Sequence, residues 1–289
     1  MAAHESNQRE EVSDGMPEEL KDFSRLCVHT MTTKPLSLPE AIEAYVEAEV
    51  AGITVWRQHI EPHGAKEAGR MLRESGLEVV SLCRGGFFVA AGAREREEAR
   101  TENRRIIDEA AEIGAPLVVL VCGASPEVPL PVARQQIVDS IHAIEPHAKA
   151  AGVKLAIEPL HPMYAGDRSA VNTLEQANNM CYALRSDWVG VAVDVYHLWW
   201  DPFLRAELER TREHLFAFHV CDWRVPTRDM LNDRGLMGEG CIKVRDIRGW
   251  VEQAGFTGFI EVEIFSDEYW GMDQRRYLRK IRNAYREYT

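Results

Sequence analysis

The chain has 289 residues, 45% of them hydrophobic, with 34 Lys and Arg against 46 Asp and Glu for a formal net charge of −12. That length and apolar content exclude a disordered chain and permit one large α/β barrel or two smaller domains. The acidic balance argues against a nucleic-acid surface, because phosphate binding needs clustered Lys and Arg to displace counterions, and no basic stripe is present.

The N-terminal stretch MAAHESNQREEVSDGMPEEL is polar and acidic and lacks the basic-then-apolar order of a signal peptide. We read residues 1–24 as a mobile N-terminal extension and 25–289 as one folded unit. Within the latter, apolar runs alternate with stretches of helical periodicity, as repeated βα units require. In the first half strands are expected at Arg25 to His29, Gly52 to Trp56, Leu77 to Cys83 and Pro116 to Val121. In the second they are expected at Val153 to Glu158, Val189 to Asp194, Leu215 to Val220 and Gly258 to Ile264. Helices fit between them at Leu38 to Val50, His63 to Ser75, Glu95 to Ile113, Val132 to Ala151, Thr173 to Leu184, Pro202 to Thr211, Val244 to Ala254 and Asp273 to Tyr288. Gly52, Gly76, Gly152 and Gly255 stand where a glycine is expected just past a helix end. Eight such units predict a single closed (β/α)8 barrel. A doubly wound open sheet is the rival, but no GxGxxG or P-loop fingerprint follows the first strand.

Six cysteines (27, 83, 122, 181, 221 and 241) are widely spaced with no CxxC pair, which suits buried free thiols better than a disulfide framework. No apolar run reaches membrane-spanning length, so a cytoplasmic protein with neither membrane nor nucleic-acid partners is expected. One connection is unusually long, from Asp222 through Gly238-Glu239-Gly240 to the helix at Val244. Loops of that length in compact domains serve as lids, substrate loops or partner surfaces.

The chemistry is concentrated at strand ends. Glu158, Asp194, His219 and Glu263 close four successive strands, in KLAIEP, GVAVDVYH, LFAFHVCDW and GFIEVEIF. A parallel barrel carries such ends to one rim. Acids and histidines also follow strands as caps or loop residues, but four in consecutive units favour a metal site. Three carboxylates and one imidazole suit Mn²⁺, Mg²⁺ or Co²⁺ better than a thiolate-type zinc. Open positions on such an ion would chelate vicinal sugar oxygens and polarise a carbonyl, and Glu158 and Glu263 could then move a proton at the adjacent carbon.

Further candidates surround this set. His161, held by Pro159 in Glu158-Pro159-Leu160-His161, is a candidate acid or base, against a bland reading as a loop histidine bonding the backbone. His197, His29, Trp56 and Arg224 are candidate substrate contacts. Core packing explains His29 and Trp56 almost as well, and an exposed loop position explains Arg224. Asp222 is placed to orient His219 or Arg224. Phe87, Phe88, Tyr164, Trp199, Trp200, Trp223 and Trp270 follow strand ends where sugar faces or an aglycone stack, or where they simply pack. No GxSxG elbow, Cys/His nucleophile pair or dinucleotide fingerprint is present. Gly85-Gly86 is too short for a phosphate cradle, and an acidic rim is expected to repel a phosphorylated ligand.

These segments resemble the xylose isomerase-like TIM-barrel superfamily, in particular its sugar phosphate isomerases/epimerases. The resemblance covers nearly the whole chain after about residue 24 and rests on AIEPLHP, VDVYHLWWDP, FHVCDW, Gly238-Glu239-Gly240 and EVEIF. It implies a divalent metal, most often Mn²⁺, on Glu158, Asp194, His219 and Glu263, proton exchange by the two Glu, and substrate contact by His197. Ketose 3-epimerases follow the first metal Glu with an Asn-Arg pair and a further Glu. This chain has His161-Pro162-Met163-Tyr164 there, which resembles relatives acting on oxidised sugars, including keto-inositol enzymes and the larger subunit of C-glycoside deglycosidases. The expected activity is therefore metal-dependent enolisation of a keto-sugar or related polyol, isomerase/epimerase-like. The alternative is a lyase subunit that β-eliminates the aglycone of a 3-oxo-glycoside with a smaller partner subunit. Less favoured are a multi-metal endonuclease and a silent sugar-binding or assembly subunit. A homo-oligomer or a smaller partner is compatible with the apolar loop residues.

Overall fold

In the computed structural model, residue 17 and residues 19–289 are described. The expected mobile extension over 1–24 lies for the most part outside them. Eight parallel strands close a barrel: β1 (Leu26–His29), β2 (Gly52–Trp56), β3 (Glu78–Gly86), β4 (Leu117–Val121), β5 (Lys154–Ile157), β6 (Val189–Asp194), β7 (Leu215–Val220) and, after a two-stranded ribbon, β10 (Ile260–Val262). The ribbon is β8 (Asp222–Trp223) paired antiparallel with β9 (Arg234–Gly235), inside the long connection. The single (β/α)8 barrel expected from the alternating pattern is the architecture found. β1, β2, β4 and β6 are buried throughout, as parallel strands packed on both faces must be.

Most of the core lies between barrel and helices, where side chains such as Leu26, Ile53, Val118, Ile141 and Ile260 pack together. A second, narrower core runs along the barrel axis and includes Ala156, Ala192 and Ala217. Each of these alanines precedes Glu158, Asp194 or His219 by two residues. Side chains two apart on a strand share a face, so the same alternation that turns the alanines inward turns the acids and the imidazole inward at the next layer. Small residues below leave room for polar groups above.

Helix boundaries shift by a few residues from the expected ones. For example, the first helix ends at Glu47 instead of Val50. There Glu49, with φ 53°, takes the left-handed conformation that sequence assigned to Gly52. Gly52 instead opens β2, where an added Cβ would lie 2.9 Å from the Phe259 ring and from Val80. β3 runs three residues past its expected end because Asn103 brackets Gly86. Its Oδ1 accepts the Gly86 N–H at 2.7 Å and its Nδ2 donates to the Gly86 carbonyl at 2.7 Å. At Gly86, φ is 107° and a Cβ would fall 2.0 Å from the Val121 carbonyl oxygen, so only glycine fits. Three one-turn helices, Arg57–Ile60, Val195–Leu198 and Asp267–Trp270, were not legible from periodicity. The cysteines are free, five of them buried and Cys241 exposed. Among the described residues no helix is long and apolar enough to cross a membrane.

Candidate metal centre

The ladder brings the strand-end residues into register. Asp194 pairs with His219, and His219 with Glu261 two residues before Glu263. Glu158, Asp194, His219 and Glu263 each offer one ligand atom, and these atoms lie within 4.8 Å of one another. All four are buried, with Asp194 and His219 at 0% exposure. His219 Nδ1 lies 3.2 Å from Glu158 Oε1 and 4.0 Å from Glu263 Oε2, so this nitrogen faces the ligand set. Asp194 Oδ1 caps the next short helix by accepting the Tyr196 N–H at 2.7 Å.

Three carboxylates around one point draw positive charge. Arg234 Nη1 donates to Asp194 Oδ2 at 3.1 Å and to Glu263 Oε2 at 2.8 Å, while its guanidinium lies over the rings of Tyr196 and Phe265. Burial works against charge on both acids. It pushes the Asp194 carboxyl up, whereas Arg234 and the neighbouring histidines hold Glu263 well below the usual carboxylate range. Burial likewise opposes a charged His219, but Glu261 and Glu158 outweigh it and lift the ring to about 10. An acid cluster that recruits both a guanidinium and an imidazolium has the donor set and the charge deficit that a divalent cation satisfies.

His197 is 3% exposed, and its Nε2 lies 3.4 Å from Arg234 Nη2. Guanidinium nitrogens only donate, so Nε2 is the acceptor and the ring proton sits on Nδ1, which is buried without a partner. Burial, then Arg234, pushes this imidazole well below its ordinary value, leaving it a neutral donor. Beneath the ligand set lies a second buried group, His29, His219 and Glu261, whose ligand atoms also lie within 4.8 Å. Glu261 Oε2 is 3.1 Å from His29 Nε2 and 3.8 Å from His219 Nε2, and accepts from Thr54 Oγ1 at 2.5 Å.

A cavity of about 180 Å³ opens above the cluster, lined among others by Trp56, Glu158, Tyr164, His197, Arg234 and Glu263. A larger cleft of about 410 Å³, lined by Glu78, Lys154 and Phe216, sits at the opposite, strand-start end, away from the ligand set. Trp56 thus lines the wall expected of it. Three other candidates do not.

His29 is wholly buried behind that wall. Its Nδ1 lies 3.2 Å from Trp56 Nε1 and 3.4 Å from Glu263 Oε1, and its Nε2 lies 3.1 Å from Glu261; burial opposes charge on the ring, but the two carboxylates outweigh it and lift the ring to about 9. His161 is absent from the cavity lining: its Nδ1 accepts the Met163 N–H at 3.2 Å, closing the turn that Pro162 begins, and its ring packs on Trp200 and Trp223. In this structure His161 caps a turn and packs against aromatic rings outside the cavity lining. Arg224 stands outside the cavity lining, its guanidinium paired with Glu268 at 2.7 Å and Glu239 at 3.0 Å in the outer loop. Asp222 orients neither His219 nor Arg224. Its carboxylate accepts the backbone N–H groups of Trp223, Gly238, Gly240 and Ile242, folding the long connection back on itself.

That folding delivers Arg234, which sequence reasoning missed because nothing local distinguishes it from Arg224 or Arg228 in the same loop. Its N–H bonds the Phe265 carbonyl at 2.9 Å, fastening the loop to the end of the last barrel strand. Glu261 was also missed, although the spacing Glu261-Val262-Glu263 on a strand placed both carboxylates on one face. Arg84 and Arg168, further lining residues, carried no signal in sequence; the rim is more basic than the acidic one expected.

A closed parallel barrel with an acid and histidine cluster at the carboxyl ends of its strands is a TIM barrel with its polar cluster at the end where such barrels build their sites. The chain belongs to the xylose isomerase-like TIM barrel family, whose model matches residues 40–287. In sequence it is similar to the inosose isomerase of Halalkalibacterium halodurans, 23% identical over 271 residues that cover 90% of this chain and 94% of that one. In structure it is similar to protein SMc04130 from Sinorhizobium meliloti 1021, with a TM-score of 0.90 and 45% identity over 92% of this chain and 99% of that one. It also shares its fold with the IOLI protein carrying a zinc atom, at a TM-score of 0.79 and 20% identity over 90% and 96% of the two chains.

Proposed function

We propose that the protein is a divalent-metal-dependent enzyme that enolises a small keto-sugar or keto-polyol, exchanging a proton at the carbon next to the carbonyl. The observation that carries this reading is the convergence of Glu158, Asp194, His219 and Glu263 within 4.8 Å beneath a cavity of monosaccharide scale. The similarity to an inosose isomerase, and the zinc of the structurally similar IOLI protein, support the substrate type and the cation respectively. The donor set accepts Mn²⁺, Mg²⁺ or Co²⁺, and the single imidazole also tolerates zinc.

The four residues would hold the ion, which supplies polarisation of the substrate carbonyl. The chain's own groups do the rest. Glu158 and Glu263 both face the cavity, and one carboxylate takes the proton from carbon as the C–H electrons move toward the carbonyl oxygen. Return of a proton to the same carbon on the other face gives an epimer; return at the former carbonyl carbon, with the hydroxyl proton transferred, gives an isomer. His197 borders the cavity as a neutral ring, and Arg234 balances the carboxylate charge. Trp56 and Phe265, in edge contact at 5.3 Å, present an apolar wall to the sugar ring.

The test is incubation of metal-loaded protein with ketohexoses, keto-inositols and 3-oxo-glucosides in D₂O, followed by NMR. Deuterium uptake that requires the ion and is lost in Glu263→Gln is the expected result. Release of an aglycone without sugar isomerisation would reassign the enzyme as a lyase, and no exchange across the panel with the ion bound would refute enolisation.

A further inference from the structure

Two guanidinium groups line the cavity, one without a carboxylate partner among the described residues and the other with a single long contact to an exposed one. The sequence has 46 acids for 34 bases, and surface arginines are typically paired, as Arg57 is with Glu109 at 2.7 Å and Arg70 with Glu67 at 2.6 Å. The Arg84 guanidinium makes no hydrogen bond or ion pair among the described residues; it lies over the rings of Trp56 and Phe87, at 5.7 Å and 4.9 Å. Arg168 lies over Tyr164 at 5.3 Å, its Nε is buried without a partner, and its nearest carboxylate is the exposed Asp167 at 3.9 Å. Both side chains border the same cavity as Glu158, His197 and Glu263.

Their positions are built. Arg84 sits on β3 just before the glycines that Asn103 clamps, and the Arg168 backbone is held by Tyr164 and Gly123. Arg84 also borders a neighbouring groove beside Glu102, but the charges that act on it are Arg168, Glu158 and Glu263, all on the cavity side. Burial, and then repulsion from Arg168, lowers its proton affinity, the signature of two like charges sharing a partly desolvated space. Glu158 and Glu263 do not neutralise them, because those carboxylates belong to the ligand set and to Arg234. With a divalent ion in place, three guanidiniums and the ion outweigh the three carboxylates of the set.

We propose that Arg84 and Arg168 form an anion subsite, so that the substrate is a keto-sugar bearing a carboxylate or phosphate group at the end remote from the carbon that is deprotonated. This rests on the enolisation reading for the position of the sugar. Arginine forks match both oxyanions, and such charge-assisted bonds are the strong ones. The rings of Trp56 and Phe87 beside Arg84 and of Tyr164 beside Arg168 attract the guanidinium charge and help to hold it at the cavity.

Matched ketohexoses test it: D-fructose, D-fructuronate and D-fructose 6-phosphate, which differ only at C6, titrated calorimetrically into the metal-loaded protein. One of the two anions should bind on the order of tenfold or more tighter than fructose, and which one does so separates carboxylate from phosphate. That preference should collapse to roughly the level of fructose in the Arg84→Met, Arg168→Met double variant, with retained metal content showing that the site is intact. Equal binding of all three sugars, failure of both anions to bind at millimolar concentration, or a preference that survives the double variant would overturn the proposal. Because the readout is binding, it is separable from the enolisation reading, which the deuterium experiment judges alone.

Discussion

Replacing Glu261 tests whether the metal set depends on the layer beneath it. This carboxylate is 1% exposed, and its Oε2 lies 2.5 Å from Thr54 Oγ1, 3.1 Å from His29 Nε2, 3.4 Å from Ser81 Oγ and 3.8 Å from His219 Nε2. His219 Nδ1 is turned to the ligand set and its Nε2 lies 3.8 Å from Glu261 Oε2 without a hydrogen-bond partner, so the carboxylate acts on the ring through its charge and would steady the ring as a metal ligand's outer partner does. Glu261→Leu takes the acceptor from the two buried donors that bond it, His29 Nε2–H and the Thr54 hydroxyl. At about 1–3 kcal/mol each, the folded state loses about 2–6 kcal/mol. Glu261→Gln keeps one acceptor oxygen and should lose about half as much. Both should weaken metal binding by about 10–100-fold, or ~1.4–2.7 kcal/mol, with Leu at the larger end. Stability is read by urea denaturation with chelator present, and metal affinity by chelator competition under conditions where circular dichroism shows each variant folded. A folded Glu261→Gln protein whose metal affinity stays within about twofold of wild type would refute the positioning role.

Arg234→Met should destabilise the chelator-treated protein by about 3–5 kcal/mol, because it strips the buried Asp194 and Glu263 of their shared cation; added divalent ion should then raise the melting temperature more than in wild type, and equal shifts would contradict this. Asn103→Ala should cost about 2–4 kcal/mol in urea denaturation, since the Gly86 N–H and carbonyl it satisfies are buried. Asp233 anchors the loop that carries Arg234, and the Arg228 guanidinium holds its carboxyl below the ordinary value despite some burial. A depressed folded value means that the contribution is fully present above the unfolded value of about 3.9 and is lost as pH falls through the lower folded one. Hydrogen exchange of the Arg228 amide, which donates to Asp233, should therefore stay protected from neutral pH down to about 4 and rise below it, whereas Asp233→Asn should lose protection already at neutral pH. A wild-type profile parallel to that of the variant at all pH values would remove Asp233 from this role.

How much of this was legible in sequence follows from which forces are local. The barrel was readable because each βα unit announces itself by a short apolar run, a helical period and a glycine stop. The convergence of the four strand-end residues was readable because a strand's direction is fixed by its own alternation, so Glu158 and Asp194 could be aimed without knowing their neighbours. Glu261 obeyed the same rule and could have been found by it. Arg234 could not. It reaches the centre only because Asp222 gathers four N–H groups from residues 223–242 and the Arg234 backbone docks on Phe265, contacts that no periodicity encodes. His161 misled for the opposite reason: a local event, Pro162 starting a turn, consumed its Nδ1 and turned a residue three positions from Glu158 onto Trp200 and Trp223. The rim's charge reversed for a third reason, since an overall excess of acid says nothing about where individual guanidiniums point. Arg84 comes from β3 and Arg168 from the connection after β5, and they border one cavity only once the barrel has closed, so ligand preference at the outer end of the cavity is written in tertiary placement, while the reacting end is written in the strands.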